Sequence, residues 1–317
     1  MSLKTQRVLT YLIGQYVSRN YDYLWLKSRL EKCQSAPPGS TLITGSSHAL
    51  NAVQESAWRH AVNCSMHSQD LYYDFLCARQ AIRSAKDSVF KRCFIVMGYY
   101  IAFQDLSKST SMRERVIANV YYPLFHDAHN WEEPAAGDPW SFLDEQSSAL
   151  PRLSDSLRRI CEQAAGQMLL ECGSYYSDAR PRTPLFDLDG LTWARLADEK
   201  RQSLGRARAE SHNRSFAHKE SFEENKTILR EFIRFLCSRH IEPIVVITPF
   251  TDEYNRFVLR EMKEAVLELL NCVPEPIHYI DFNQYPSFGP SDFMDTDHMS
   301  EAGARRVSAL LADLFGA

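Results

Sequence analysis

Five short runs of apolar residues divide the chain, and each is bounded by turn-forming or charged positions. Runs of this length with little polar alternation indicate strands that are buried on both faces, as in a parallel sheet. Three runs are strongly apolar and two are weaker: TLITG (41–45), CFIVMG (93–98) and PIVVITP (243–249), then HAVNCS (60–65) and IHYIDF (277–282). The pattern therefore predicts a sheet of about five buried strands.

Helical periodicity fills the intervals between these strands. The predicted helices cover 70–85, 222–240, 257–273 and 300–315, with Ser221 and Ser300 as the N-caps of the second and fourth. Strands that alternate with helices indicate layers of helix on both faces of a parallel sheet. We therefore predict a flavodoxin-like, three-layer α/β/α fold formed by a single domain of residues 1–317.

The stretch from Gln104 to about Glu220 interrupts this rhythm with mixed helices and proline-punctuated loops. A connection of more than 100 residues is far longer than an ordinary loop, so residues 104–220 are predicted to form a helical insertion. Ligands of parallel sheets bind beyond the carboxyl ends of the strands, where this insertion begins. We expect part of it to act as a lid. Its basic run, 199–214, is interpreted as a solvated helix face, with contact to an anionic substrate or partner as the alternative.

Composition, charge and cysteine usage indicate which partners and which cellular compartment suit this chain. The 317 residues are 44% hydrophobic and 24% charged with a net charge of −4, which disfavours nucleic acid or an anionic membrane as the main partner. Eight cysteines occur without a C-x-x-C pair, and some, such as Cys93 and Cys237, lie in apolar or amphipathic runs. Such cysteines are typical of reduced, buried thiols. With no apolar stretch at the start of the chain that is long enough for a signal peptide or a membrane span, the pattern predicts a cytoplasmic protein.

The first strand ends in residues that suit catalysis better than packing. Gly45, Ser46, Ser47 and His48 follow directly, so a serine could serve as a nucleophile, whereas His48 is expected to pack or cap. Near the other end of the chain, an acid and a base stand three residues apart within the sequence FMDTDHMSEAGA (293–304). A carboxylate on the same loop as an imidazole can fix its tautomer and leave the other ring nitrogen free to accept a serine proton.

The two segments together resemble those of the SGNH (GDSL-like) hydrolase superfamily, in a divergent variant with G-S-S in place of G-D-S. The first block of that family matches Gly45-Ser46-Ser47, which implies Ser47 as the nucleophile. Its last block, an Asp, a His three residues on and a Gly five residues later, matches Asp295, His298 and Gly303. The resemblance thus implies a Ser47, His298, Asp295 triad.

The middle blocks of the family bear on the oxyanion hole. The second block finds Asn63 and then Ser68, where the family usually has Gly; the third departs from the pattern, with Tyr99 or Tyr100 in place of the oxyanion Asn. The predicted donors are the N–H groups of Ser47 and Ser68, with Tyr100 as a third. Ser47 is also predicted to begin a helix, whose dipole would favour the oxyanion.

Two aspartates compete for the histidine. Asp297 adjoins His298, and neighbouring side chains in turn or extended backbone diverge, whereas a single turn folds Asp295 toward the ring. The spacing of the family selects Asp295 as well. Asp297 is accordingly predicted to be a charge favourable to the start of the following helix, and Asp297→Asn is expected to have little effect.

The predicted function is serine-dependent hydrolysis of a small acyl ester through an acyl-enzyme. Two alternatives stay open: an O-acyltransferase acting on a glycan or other alcohol, and an inactive SGNH-like protein that binds a glycan or partner. The ordinary α/β-hydrolase motif G-x-S-x-G would need Gly at position 49, which is Ala49. No metal or nucleotide motif is found, so no cofactor is expected, and the predicted ligand is a small-molecule or glycan ester.

Overall fold

The sheet contains the strands that the apolar runs predict. The computed structural model describes residues 3–86, 89–145, 154–178, 180–285 and 288–316. Five strands are found in this part of the chain: β1 Ser40–Gly45, β2 Ala61–Asn63, β3 Phe90–Met97, β4 Glu242–Ile247 and β5 His278–Asp281. Every residue of β1 is buried, as are the last six of β3. Burial on both faces explains why these runs lack polar alternation.

All neighbouring strands are parallel, and their order is β2-β1-β3-β4-β5. This is the flavodoxin-like order, in which the direction of strand addition reverses between β1 and β3. The predicted α/β class with a central parallel sheet is confirmed. Ligands of such sheets bind outside the carboxyl ends of the strands at the reversal point, which here is the end of β1.

Helices account for most of the remaining chain. In chain order they are α1 Leu3–Arg19, α2 Tyr21–Gln34, α3 Ser47–Ala52, α4 Leu71–Ser84, α5 Thr110–Met112, α6 Tyr122–Phe125, α7 Phe142–Glu145, α8 Asp155–Glu171, α9 Asp198–Asn213, α10 Lys219–Ser238, α11 Asp252–Asn255, α12 Arg260–Asn271 and α13 Glu301–Phe315. A π-helical segment, Arg113–Tyr121, joins α5 to α6. The four predicted helices correspond to α4, α10, α12 and α13.

Of the two predicted N-caps, Ser300 is confirmed and Ser221 is wrong. Ser300 caps α13, because its Oγ accepts a hydrogen bond from the N–H of Gly303 at 3.2 Å. The cap at Ser221 is wrong: α10 begins at Lys219, which places Ser221 buried within the first turn. Lys219 and Glu220 are good helix formers, and an acid in the first turn is favoured by the helix dipole, so the helix starts two residues earlier.

The described chain clusters into two compact units. One contains Met1–Lys32 and Leu106–Pro181, and the other contains Cys33–Asp105 and Arg182–Ala317. The first is helical, and Tyr16 stacks on Trp140 there with ring centroids 4.4 Å apart. The second contains the whole sheet. Residues of the predicted insertion, 104–220, fall in both units, and the predictions of a single domain and of a lid stay predictions.

In the second unit, apolar side chains of α13 pack on one face of the sheet. Ala304, Val307 and Leu311 belong to a fully buried cluster with Phe94 of β3 and Ile244 of β4. Helix α10 packs against both α4 and α12, and α4 and α10 contact the sheet through β1 and β4. Helices thus lie on both faces of the sheet, as the three-layer prediction requires.

Gly303 allows α13 to approach the loop before it. A Cβ at this position would run into the carbonyl oxygen of Asp292 and lie 2.5 Å from Met299 Cε. Gly303→Ala should therefore lower the free energy of unfolding by about 1–3 kcal/mol through overpacking, as measured by urea denaturation. Gly289→Ala is the matched control, because open space surrounds its Cβ position. Equal losses in the two variants would contradict the close contact.

The buried thiols that the sequence predicts include Cys77 on α4 and Cys93 on β3. Burial raises the pKa of both thiols well above the ordinary value, so they are protonated and unreactive at neutral pH. Cys237 is only partly buried and Cys272 is exposed. Among the described residues, no helix combines the length and apolar character needed to span a bilayer.

Candidate active site

Ser47 lies where β1 turns sharply into α3. Gly45 makes this turn with φ of +144°, and a Cβ there would run into the backbone carbonyl of Val96 on β3, so only glycine fits. Ser46 is the N-cap of α3, and its Oγ accepts from the N–H of His48 at 3.4 Å. Ser47 is the first residue of α3 and is 9% exposed. The turn thus presents a serine hydroxyl at the reversal point of the sheet.

Ser47, His298 and Asp295 form one chain of hydrogen bonds. Ser47 Oγ lies 2.9 Å from His298 Nε2. On the other side of the ring, Nδ1 lies 3.0 Å from Asp295 Oδ2 and 3.1 Å from Oδ1. A carboxylate can only accept here, so Nδ1 carries the proton and Nε2 is left to accept from the serine hydroxyl. The three residues that the sequence singles out are brought together in the order that nucleophilic catalysis needs.

The loop between β5 and α13 holds Asp295 in place. Its Oδ1 accepts from the backbone N–H of Asp297 at 3.1 Å and of His298 at 2.9 Å, and its Oδ2 accepts from the N–H of Leu185 at 2.8 Å. The carboxylate is completely buried. The loop itself is closed by a hydrogen bond from Met294 N–H to the His298 carbonyl. Because backbone donors fill the remaining lone pairs, the acid has one orientation available.

The charges around His298 favour its protonated form. Burial lowers the pKa of the imidazole, but the carboxylates of Asp295 and Asp297 together outweigh that effect and the opposing charge of Arg208. The net pKa lies above the ordinary value for histidine. A base strengthened in this way takes a proton from a hydroxyl more readily, at the cost of needing a higher pH to be free.

Asp297 forms a buried ion pair, a role beyond the predicted charge near the start of α13. Its side chain is fully buried, and Arg208 of α9 contacts both carboxylate oxygens, with Nε 2.9 Å from Oδ2 and 3.1 Å from Oδ1. Burial raises the pKa of this carboxyl, but the Arg208 guanidinium and the neighbouring histidines, His298 first, together outweigh burial, and the pKa lies well below the usual range. Removal of one partner from a buried ion pair strongly destabilises the fold, because it leaves the other charge without a partner.

His48 packs against the imidazole of His298, in line with its predicted packing role. Its imidazole stacks on that of His298 with centroids 5.4 Å apart, and its Nδ1 lies 3.3 Å from Thr248 Oγ1. Its Nε2 lies 3.1 Å from the hydroxyl of Tyr100, whose ring stacks on His212. Burial lowers the pKa of His48 to about 3, so the ring is neutral and adds no charge beside His298.

The three predicted oxyanion donors, Ser47, Ser68 and Tyr100, differ in backbone conformation and in hydrogen-bond partners. Ser68 has φ of +60°, a conformation that favours glycine, the residue the SGNH pattern has at this position. Asn63, the other residue of that block, accepts from the N–H of Ser65 at 3.0 Å. The Tyr100 hydroxyl is engaged with His48, and the N–H of Ser47 belongs to the first helical turn, which offers it no intrahelical acceptor. The oxyanion roles stay predictions.

Asp295, Asp297 and His298 also offer ligand atoms within 4.8 Å of one another, a spacing that could suit a metal ion. The carboxylate oxygens that would bind a metal, however, already accept hydrogen bonds. Arg208 donates to the oxygens of Asp297, while backbone N–H groups and His298 Nδ1 donate to those of Asp295. A cationic guanidinium in the cluster also repels a second cation. The arrangement suits an orienting acid better than a metal centre.

The basic run 199–214 was not recognised as part of the site. One face of α9 is buried through Gly205, Ala209 and His212, and Arg208 projects from this helix to Asp297. The spacing of small and apolar positions in an otherwise charged helix was the available signal for a buried stripe. The interpretation as a solvated face is thus wrong for that stripe.

Comparison of the whole chain with protein-family models gives no match, and comparison with curated proteins gives none. The chemistry of the site therefore rests on its own geometry.

Proposed function

We propose that this protein is a serine esterase of the SGNH type, which hydrolyses a small acyl ester through a covalent acyl-enzyme. The observation that carries the proposal is the unbroken hydrogen-bond chain from Ser47 Oγ through His298 to Asp295. Support also comes from the position of Ser47 at the end of β1, where parallel sheets of this order bind ligands. The proposed substrate is a small-molecule or glycan ester.

The three residues have different roles in the proposed reaction. Ser47 Oγ attacks the ester carbonyl as its proton passes to His298 Nε2, and Asp295 stabilises the imidazolium that results. Collapse of the tetrahedral intermediate breaks the bond to the alcohol, which leaves with the proton from Nε2. Water then loses a proton to Nε2 as it attacks the acyl-enzyme, and Nε2 gives that proton to Ser47 Oγ as the bond to the acyl group breaks, which releases the acid and restores both residues. The N–H groups of Ser47 and Ser68, with Tyr100, are the proposed oxyanion donors.

A fluorophosphonate probe tests the proposal directly, since it forms a stable bond only with an activated serine. We expect stoichiometric labelling that peptide mapping assigns to Ser47 and that Ser47→Ala abolishes. Ser46→Ala is the matched control and should still label, because that hydroxyl caps a helix. Failure of the wild-type protein to label or to turn over any p-nitrophenyl ester would favour the binding-protein alternative. Transfer of the acyl group to added alcohols in preference to water would favour the acyltransferase.

A further inference from the structure

Residues 182–185 form a strap that contacts the supports of the triad within the second unit. Its first residue, Arg182, donates from Nη1 to three oxygens: the carbonyl of Asn51 at 3.1 Å, the side-chain oxygen of Asn51 at 3.0 Å and the carbonyl of Met299 at 3.0 Å. Asn51 lies in α3, and Met299 precedes α13. One guanidinium thus links two segments that are distant in the sequence.

Each of these segments carries one member of the triad. Asn51 Nδ2 donates to the backbone carbonyl of Ser47 at 2.8 Å, which ties the turn of the nucleophile to the side chain that Arg182 holds. Met299 follows His298 directly in the chain. A continuous path of hydrogen bonds and one peptide unit therefore runs from Ser47 through Arg182 to His298.

The other end of the strap contacts the third member. The N–H of Leu185 donates to Asp295 Oδ2 at 2.8 Å. The strap therefore touches the supports of the nucleophile, the base and the acid within four residues. A guanidinium suits the position, because it is always charged and presents several N–H donors in a rigid plane, whereas carbonyl oxygens only accept.

Building on the proposed function, we propose that Arg182 is a positioning residue that holds Ser47 Oγ at hydrogen-bond distance from His298 Nε2. Without it, α3 and the loop of His298 lose their shared anchor, and the two reacting atoms separate. Displacement of a catalytic group by about 1 Å can cost on the order of 100-fold in rate. The loss should fall on kcat, since Arg182 supports the reacting side chains.

The first test measures the hydrogen bond without relying on activity. The Nε2 resonance of His298, assigned by comparison with His298→Gln in ¹⁵N-histidine-labelled protein, reports whether that nitrogen accepts a hydrogen bond. Ser47→Ala gives the resonance of the unbonded ring. We expect Arg182→Gln to move the signal to that same position, with the signals of the other histidines unchanged. An Nε2 resonance that stays at the wild-type position would overturn the proposal.

The second test is kinetic. Arg182→Gln should lower kcat for a p-nitrophenyl ester by about 100-fold with KM nearly unchanged, and should slow fluorophosphonate labelling to the same extent. Arg182→Lys should recover part of the loss, because the ammonium can still reach some of the carbonyl oxygens. Arg195→Gln, an exposed arginine farther along the same connection, is the control and should behave as wild type.

The outcomes separate the two proposals. Wild-type labelling together with an unchanged rate in Arg182→Gln rejects the positioning role and leaves the esterase standing. Absence of labelling in the wild type, together with the expected Nε2 shift in Arg182→Gln, rejects the esterase and leaves Arg182 as the residue that holds the pair. A loss in Arg182→Gln that Arg182→Lys does not relieve, with all histidine signals displaced, indicates a general structural role and contradicts the proposal.

Discussion

Asp295→Asn is expected to lower kcat for a p-nitrophenyl ester by about four orders of magnitude, by analogy with loss of the acid in a serine triad. The reason lies in the tautomer of His298. The asparagine oxygen can still accept from the N–H groups of Asp297 and His298, which leaves its NH₂ group facing His298 Nδ1. That group donates to Nδ1, so the proton moves to Nε2, where the ring can no longer accept from Ser47.

The measurement is steady-state kinetics of the wild type and the variant at the same pH. Asp313→Asn, which removes an exposed carboxylate from α13, is the matched control and should retain wild-type turnover. Circular dichroism of Asp295→Asn should match the wild type, because the hydrogen bonds from the N–H groups of Asp297 and His298 survive and only the one from Leu185 N–H is lost. Turnover within tenfold of the wild type would show that Asp295 does not orient the base.

Asp297→Asn is expected to destabilise the protein by about 3–5 kcal/mol, the usual cost of breaking a buried ion pair by removing one partner. Arg208 would keep its charge in a site where its side chain is only 20% exposed and its bidentate partner is gone. Turnover should fall less than in Asp295→Asn, since the nearest oxygen of Asp297 is 4.0 Å from His298 Nδ1, beyond hydrogen-bond distance.

Urea denaturation of Asp297→Asn, Arg208→Gln and the double variant measures the coupling. The double variant should lose less stability than the sum of the two single changes, because it leaves no unpaired charge. The pKa of Asp297 is lowered by folding, so its contribution is complete above the ordinary carboxyl pKa and is lost as pH falls through the folded value. An Asp297→Asn variant within 1 kcal/mol of the wild type would mean that the pair contributes little.

The sheet and the juxtaposition of Ser47, His298 and Asp295 could be predicted from the sequence because their signals are local. A strand buried on both faces must be apolar throughout, so the five runs identify β1 to β5 without knowledge of their partners. Asp295 and His298 are three residues apart, and one turn suffices to join them. Ser47 follows the first strand, and the carboxyl ends of parallel strands share one edge, so its approach to His298 follows from the fold.

The apolar pattern of the sequence does not predict helices α1 and α2. Helix α1 and most of α2 belong to a compact unit that also contains Leu106–Pro181, more than 70 residues farther along the chain. Helix α2 mixes aromatic, aliphatic and charged residues around its circumference and has little amphipathic character, so periodicity is a weak signal there.

The surroundings of the triad were decided by the tertiary structure. Arg208 lies 89 residues from Asp297, and Arg182 lies 131 residues from Asn51 and 117 from Met299. The sequence around an arginine does not show which distant residue the arginine will contact, and a charged side chain is ordinarily solvated. Only packing of α9 and of the strap against the loop of His298 partly shields these guanidinium groups from water and makes each contact specific. The sequence determined which side chains meet at the end of β1, and the folded chain determined what holds them in position, because long-range hydrogen bonds exist only once distant segments have met.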